Sequence, residues 1–180
     1  MLVSSNQTSA GDCGNFPARP FGEPGASRFT RDYENGGYGY HVNLPPGIVA
    51  FGELPGQPAH GVGIVLSWTP RSYLYLNGSH NALMYRGSRD AAIDREADVR
   101  RDSIRIYSAR RFRTRLGHHP AIRSIICHSC NAGAFVTDQY LVLRGGIVYT
   151  LSLTAPPQRY RQDRLILNAI ARSWRFTRIE

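Results

Sequence analysis

The residue types best suited to catalysis or metal binding are concentrated between residues 116 and 130. This segment contains His118, His119, Cys127, His128 and Cys130. Two residues separate the cysteines, a spacing found in redox and zinc sites, and a nearby imidazole can lower the pKa of a thiol. A redox pair of this kind opens a helix after a strand, whereas here the pair is predicted at the end of a strand. We therefore expect Cys127 and Cys130 to have a structural role, as a disulfide across a turn or as buried thiols.

An enzyme is the alternative hypothesis, and a second pair of histidines supplies another candidate site for it. His60 lies beside glycines, and His80 lies in a polar turn after a predicted strand. Together with Ser67 or Ser79 and an acidic residue, they could form the nucleophile, base and orienting group of a small hydrolase. The chain lacks a Gly-x-Ser-x-Gly elbow, a His-Glu-x-x-His motif and a phosphate-binding loop. We therefore expect a protein without a catalytic site, a cofactor or a metal.

The distribution of arginine predicts one basic surface. All 22 basic residues are arginines and the net charge is +9, but a GC-rich bacterial genome favours arginine codons, so the total charge indicates little about function. Residues 100–123 are more informative, because they contain eight arginines and a single acid, Asp102. Guanidinium groups bind carboxylates and phosphates through two parallel hydrogen bonds. The run predicts either a solvated strand or a binding face. The candidate binding residues are Arg100, Arg101, Arg105, Arg110, Arg111, Arg113 and Arg115.

The partner that best fits such a face is another protein with an acidic surface. A nucleic-acid stacking site needs several exposed aromatic rings among the cations, and only Tyr107 and Phe112 lie within the run. Nucleic acid is therefore not expected, and polyanion binding is a third hypothesis. No apolar stretch approaches about 18 residues, so no membrane-spanning helix is predicted.

The candidate residues must be positioned by strands, because short alternating or apolar segments bounded by turn residues cover most of the chain. Asn35-Gly36-Gly37 and Gly145-Gly146 provide positive φ angles at little cost and predict tight hairpins. The predicted strands are residues 29–33, 38–42, 61–68, 72–77, 103–108, 121–128, 135–143 and 147–154. Hairpins of this kind indicate an antiparallel sheet rather than a doubly wound parallel one.

Two segments predict helices. Residues 88–102 have Ser88 as a candidate N-cap, an acid in the first turn and arginines in the last. The apolar stripe of this helix is thin and consists of Ala92, Ile93, Ala97 and Val99. The second helix follows Pro156-Pro157, and its apolar residues Ile166, Leu167, Ile170 and Trp174 share one face. The expected fold is α+β, with helices packed against an antiparallel sheet.

The C-terminal segment resembles a known family. Residues 145–153, Gly-Gly-Ile-Val-Tyr-Thr-Leu-Ser-Leu, precede Ala155-Pro156, Tyr160, Asp163 and Ser173-Trp-Arg-Phe176. This pattern resembles the last strand and helix of PsbP-like proteins and their bacterial envelope lipoprotein relatives. Residues 38–47 are similar to the family's early strand, and residues 116–121 to the turn and strand before its central hairpin. The resemblance implies an α/β sandwich over residues 29–176 and no activity, because members are mostly adaptors, assembly factors or uncharacterised envelope proteins.

The first 27 residues differ in composition from the rest, because Ser, Asn, Thr, Gly and Pro dominate and no apolar period is present. They predict a flexible tail that carries Cys13, and residues 28–180 predict a single α+β domain. Cys13 resembles the anchor site of a bacterial lipoprotein, although Asp12 is not the small residue that should precede such a cysteine. We expect a bacterial periplasmic or secreted protein whose export signal is absent from this chain. Its expected function is non-enzymatic binding of a macromolecule, as an adaptor, inhibitor or immunity protein.

Overall fold

The computed structural model describes residues 26–52 and 60–179, so residues 1–25 of the predicted tail, including Cys13, lie outside the described residues. The described helices are α1 (Ser88–Asp102) and α2 (Pro157–Ser173). The described strands are β1 (Arg28–Phe29), β2 (Asp32–Asn35), β3 (Tyr40–Asn43), β4 (Ala50–Gly52), β5 (Gly61–Trp68), β6 (Arg71–His80), β7 (Arg105–Leu116), β8 (His119–Cys130), β9 (Gly133–Arg144), β10 (Ile147–Ala155) and β11 (Arg175–Phe176).

Eight of these strands form one antiparallel sheet in the order β1-β4-β5-β6-β10-β9-β8-β7. The tight hairpin predicted at Gly145-Gly146 is confirmed, because β9 and β10 pair from Arg144 and Ile147 outward. Both glycines have positive φ, +57° and +76°, which is the turn geometry that matches the right-handed twist of the flanking strands.

A small second sheet has the order β11-β3-β2. A hairpin is present where Asn35-Gly36-Gly37 predicts one, since Asn35 pairs with Tyr40. Its turn covers residues 36–39, however, and the positive φ, +63°, is at Gly39 rather than in the glycine pair. The Asn35 side chain accepts a hydrogen bond from the Tyr38 amide at 3.0 Å. Asparagine therefore stabilises the turn locally, as its side chain does in many turns.

Helix α1 has the predicted bounds, but its N-cap and its buried face differ from the prediction. Gly87 occupies the N-cap position, and the Ser88 hydroxyl instead accepts a hydrogen bond from the Leu143 amide at 2.8 Å. The prediction that Ser88 caps the helix is therefore wrong, because its hydroxyl oxygen hydrogen-bonds to β9 instead. Ile93 is exposed while Glu96 is buried, so the apolar stripe predicted for this helix is only partly present.

Helix α2 buries the predicted face. Leu167, Ile170 and Trp174 are almost completely inaccessible to solvent. The Trp174 ring stacks on Tyr40 of the small sheet, with ring centroids 4.6 Å apart and planes 8° from parallel. Helix α2 and the small sheet therefore share one apolar core with the large sheet.

The two helices pack against different side chains of the central strands. In β10, Tyr149 belongs to the core shared with α2, whereas its neighbour Val148 packs with Ala91 and Ala92 of α1. Successive side chains of a strand point to opposite faces of a sheet. The fold is thus a large antiparallel sheet with two helices packed against it, as the sequence predicts.

Candidate functional site

Most of the predicted basic face lies on β7, which ends the large sheet. This strand is 12 residues long and pairs with β8. Within residues 26–52 and 60–179, no strand pairs with its other side. Such an edge presents a row of backbone N–H and C=O groups that another chain can pair with.

Four arginines of β7 carry charge that no described carboxylate neutralises. Arg105, Arg110, Arg113 and Arg115 are exposed, and among the described residues none of them forms an ion pair. Exposed charged side chains are one way in which edge strands avoid aggregation. We call β7 with these four arginines the basic edge.

Two other predicted binding residues are occupied by contacts within the molecule. Arg111 donates to the buried carboxylate of Glu96 through Nε at 2.8 Å and Nη2 at 3.1 Å, and Ser124 donates to the same carboxylate at 2.5 Å. Burial alone would raise the pKa of Glu96, but the hydrogen bonds from Arg111 and Ser124 hold it below its ordinary value. Arg101 pairs with Asp98 on α1. Arg111 and Arg101 therefore form ion pairs with α1 and do not add unneutralised positive charge to the surface.

Exposed apolar side chains lie within and beside the basic edge. Tyr107 and Phe112 are 57% and 43% exposed, and Ile104 immediately precedes the strand and is also exposed. The Arg105 guanidinium lies 5.2 Å from the centre of the Tyr107 ring. Arginine and aromatic residues are the types enriched in protein interfaces.

A cleft of about 600 Å³ adjoins the basic edge, between β7 and α2. Arg113 and Arg115 of the basic edge line one side, and Arg172 and Asn168 of α2 line the other. No carboxylate is among the described residues that line it. The cleft therefore extends the positive surface toward α2.

The floor of this cleft is held by a buried ion pair. Arg123 donates to Asp138 through Nε at 2.7 Å and Nη2 at 2.6 Å. Tyr160 of α2 donates to the same carboxylate at 2.8 Å, and its pKa is raised by burial and by this hydrogen bond. The Arg123 side chain is therefore committed to linking β8, β9 and α2.

The Cys/His cluster is not brought together as an enzyme site. Cys127 is a half-buried free thiol, whereas Cys130 is buried and disulfide-bonded. The prediction of a disulfide between Cys127 and Cys130 is therefore wrong. Strand β8 stays extended through Cys130, which puts the two Cα atoms about 10 Å apart, beyond the roughly 7 Å that a disulfide spans. His118 lies in the turn at the opposite end of β8, about 30 Å along the strand from Cys127 at the usual rise per residue.

His128 is buried on α1's side of the sheet and hydrogen-bonds to Ser103 and Thr137, at 2.9 Å each. Burial lowers its pKa. Its position in β8 makes it a neighbour of Cys127, whose side chain points to the other face. The imidazole therefore does not activate that thiol.

The second pair of histidines does come together, but around an aromatic ring. His60 and His80 both lie against the ring of Tyr38, with ring centroids 5.2 and 5.5 Å from it. The Tyr38 hydroxyl lies 2.7 Å from His60 Nδ1. Within the described part of the chain, neither histidine hydrogen-bonds to a serine or to a carboxylate, so the hydrolase set predicted around them is not assembled.

The described residues contain no group of three or more His, Cys, Asp or Glu side chains arranged to hold a metal ion. No helix of residues 26–52 and 60–179 has the length and apolar character needed to cross a membrane.

No family model matches the sequence, and no curated protein matches it. A solved structure does: that of cyanobacterial PsbP from Synechocystis is similar over 89% of this chain and 98% of its own, with a TM-score of 0.56 and 12% sequence identity. The chain has a PsbP-like fold.

Two further solved structures are similar, each with a TM-score of 0.47. One is a Pseudomonas aeruginosa protein of unknown function, 8% identical over 78% of this chain and 83% of its own. The other comes from Bacteroides thetaiotaomicron, 9% identical over 83% of this chain and 49% of its own. At these identities the likeness concerns the arrangement of strands and helices alone.

Within the PsbP-like fold, the sequence failed to indicate several residues of this surface. Arg172 and Asn168 line the cleft from α2, and their part in it depends on where α2 crosses β7. Glu96 neutralises Arg111 from α1. A charged residue in the middle of the thin apolar stripe of α1 was the one local indication that this helix buries an ion pair.

Proposed function

We propose that this protein binds an extended acidic segment of another protein, which pairs with β7 as an additional strand. The observation that carries the proposal is a 12-residue edge strand with four arginines whose charge is not neutralised by the described carboxylates. In strand addition, backbone hydrogen bonds supply affinity and side chains supply selectivity. The edge of β7 provides the backbone hydrogen-bonding groups, and its arginines select glutamate and aspartate.

A protein segment fits this edge better than a nucleic acid does. A nucleic acid cannot continue a ladder of backbone N–H and C=O groups, whereas an extended peptide can. Exposed Tyr107 and Phe112 add apolar contact area beside the charges. The function is then non-enzymatic binding, in the manner of an adaptor, inhibitor or immunity protein.

The disulfide at Cys130 supports a periplasmic or secreted location. Disulfides persist in oxidising compartments and are rare in the bacterial cytosol. Cys130 is disulfide-bonded in this fold, so the protein is suited to the cell envelope or the exterior.

The direct test uses a labelled peptide as long as β7, 12 residues, with alternating glutamate and valine. Fluorescence anisotropy should show binding that weakens with salt. A variant with Arg105→Glu, Arg110→Glu and Arg113→Glu should bind at least about tenfold more weakly, because three attractive contacts become repulsive. The matched control reverses Arg31, Arg89 and Arg161, which are exposed elsewhere, and should bind nearly as the parent does.

A second peptide separates strand addition from simple charge attraction. It keeps the glutamates but has proline at every valine position, so that it cannot donate to a ladder. Markedly weaker binding of this peptide is expected. Equal binding of both peptides, or tighter binding of single-stranded oligo-dT, would refute strand addition and favour the polyanion hypothesis.

A further inference from the structure

A second cavity, of about 180 Å³, lies between the C-terminal half of α1 and the large sheet. Its floor is polar, although a helix covers it. The floor residues are Tyr73, His128, Thr137, Gln139, Ser152 and Thr154, and the residues from α1 are Arg95, Asp98, Val99 and Asp102.

The same helix packs in the ordinary way at its other end. There Ala91 and Ala92 contact Leu141 and Val148, and this contact is apolar. Burying hydroxyl and amide groups costs free energy unless each finds a hydrogen-bond partner. The change from an apolar to a polar floor along one helix therefore indicates a built cavity rather than a gap in packing.

One wall of the cavity is held rigid by a directed chain of hydrogen bonds. The Ser103 hydroxyl donates to the Val99 carbonyl at 2.5 Å, so it accepts from His128 Nδ1 at 2.9 Å. Burial lowers the pKa of His128 and so favours the neutral imidazole, whose Nε2 accepts from the Thr137 hydroxyl, also at 2.9 Å. These groups therefore have little capacity left for a ligand.

Gln139 is different, because its donor is unused. The residue is 4% exposed and lines the cavity, yet its Nε2 has no hydrogen-bond partner among the described residues. An unsatisfied buried donor of this kind costs about 1 to 3 kcal/mol. A molecule in the cavity that accepts a hydrogen bond from Nε2 would recover that cost.

The helix side of the cavity supplies the complementary acceptor. Both carboxylate oxygens of Asp98 are taken, one by Arg95 and one by Arg101. The half-buried carboxylate of Asp102 has no hydrogen bond or ion pair with the described residues. The cavity thus offers one free donor, one free acceptor and the hydroxyl of Ser152, whereas the Thr154 hydroxyl already contacts that of Thr137 at 3.4 Å.

We propose that this cavity binds a neutral polyhydroxyl molecule of about the size of a monosaccharide. A volume of 180 Å³ far exceeds the roughly 10 to 15 Å³ that a single water molecule needs in a cavity, so there is room for a molecule of several heavy atoms. A sugar hydroxyl both donates and accepts, which matches a lining that mixes Gln139 Nε2, Asp102 and hydroxyl groups. The ring of Tyr73 and the side chain of Val99 supply apolar surface for C–H groups. An anion is disfavoured because the unpaired charge facing the cavity is the carboxylate of Asp102.

The test is a titration of the whole protein followed by NMR, with D-glucose, D-galactose and myo-inositol as probes. At up to about 50 mM, enough to detect a millimolar Kd, at least one of the three should shift the side-chain amide resonances of Gln139. Gluconate and glucosamine serve as the anionic and cationic comparisons. A stronger response to either of these would overturn the proposal.

The decisive variant is Gln139→Leu, which removes the donor and keeps most of the side-chain volume. Binding, followed in this variant by the backbone amide resonances of the other residues that line the cavity, should weaken at least tenfold. Thermal stability should be retained or increased, because an unsatisfied amide is lost. The matched control is Asn77→Leu, since Asn77 is another amide with a buried unpartnered atom, Oδ1, and does not line this cavity. It should leave binding unchanged. No response of Gln139 to any neutral probe, or equal binding by the Gln139→Leu variant, would mean that the cavity holds water only.

Discussion

Replacing Asp138 with leucine should destabilise the protein severely, because it leaves Arg123 buried without its partner. The side chains of Asp138 and Arg123 are 0% and 8% exposed. The carboxylate accepts two hydrogen bonds from Arg123 and one from Tyr160. Removing one member of a buried ion pair costs about 3 to 5 kcal/mol. That is a large part of the roughly 5 to 15 kcal/mol that stabilises a typical domain.

The measurement is urea unfolding followed by far-UV circular dichroism, for the parent and three variants. Asp138→Leu should lose about 3 to 5 kcal/mol. Tyr160→Phe should lose about 1.5 to 3 kcal/mol, because it removes one hydrogen bond to a charged acceptor. The double variant Arg123→Met with Asp138→Leu should recover most of the loss, since apolar replacement of a whole buried pair is often neutral or stabilising. An Asp138→Leu loss below about 1 kcal/mol, or a double variant no more stable than the single one, would refute this reasoning.

Three other predictions concern stability, pH and oxidation. Trp174→Ala should cost about 3 to 5 kcal/mol in urea unfolding, because the ring is 1% exposed and stacks on Tyr40; a variant as stable as the parent would show that α2 does not depend on this contact. Burial lowers the pKa of His128, so its contribution to stability is present above the unfolded-state pKa of about 6.5 and is lost as pH falls from there toward the folded-state pKa. The unfolding free energy of His128→Asn should therefore fall less than that of the parent between pH 7 and pH 5, and parallel curves would contradict the assignment. Mass spectrometry of the non-reduced protein after thiol labelling should find label on Cys127 and none on Cys130; labelling of both would show that Cys130 is reduced.

The positions of the strands and helices follow largely from local chemistry. The turn residues Asn35-Gly36-Gly37 and Gly145-Gly146 placed two hairpins, although only the second pair has positive φ and the first turn has it at Gly39. Prolines placed the start of α2. Spacings of three and four residues identified the buried face of α2. Each of these features is encoded within a few residues, so the sequence is sufficient to predict it. The same is true of the α+β class, because hairpins imply antiparallel pairing.

The first part of β7 was predicted, but its extension to Leu116 was not. A strand that buries neither face does not need to alternate apolar and polar residues. In the second half of β7, arginines alternate with other side chains that are mostly exposed. Periodicity therefore could not reveal it. The charge of this run did indicate a surface, and the arginines that remain free on it were among those predicted.

What the sequence could not provide are contacts between residues far apart in the chain. Arg111 resembles the other arginines of the run until the packing of α1 brings Glu96, 15 residues away in the chain, beside it. A two-residue spacing between cysteines is compatible with a disulfide until β8 is seen to remain extended through both. Gln139 gives no local indication that its amide faces a cavity beneath α1. Charge pairing, disulfide geometry and cavity lining depend on where separate elements cross, and that crossing is determined by the packing of the whole core.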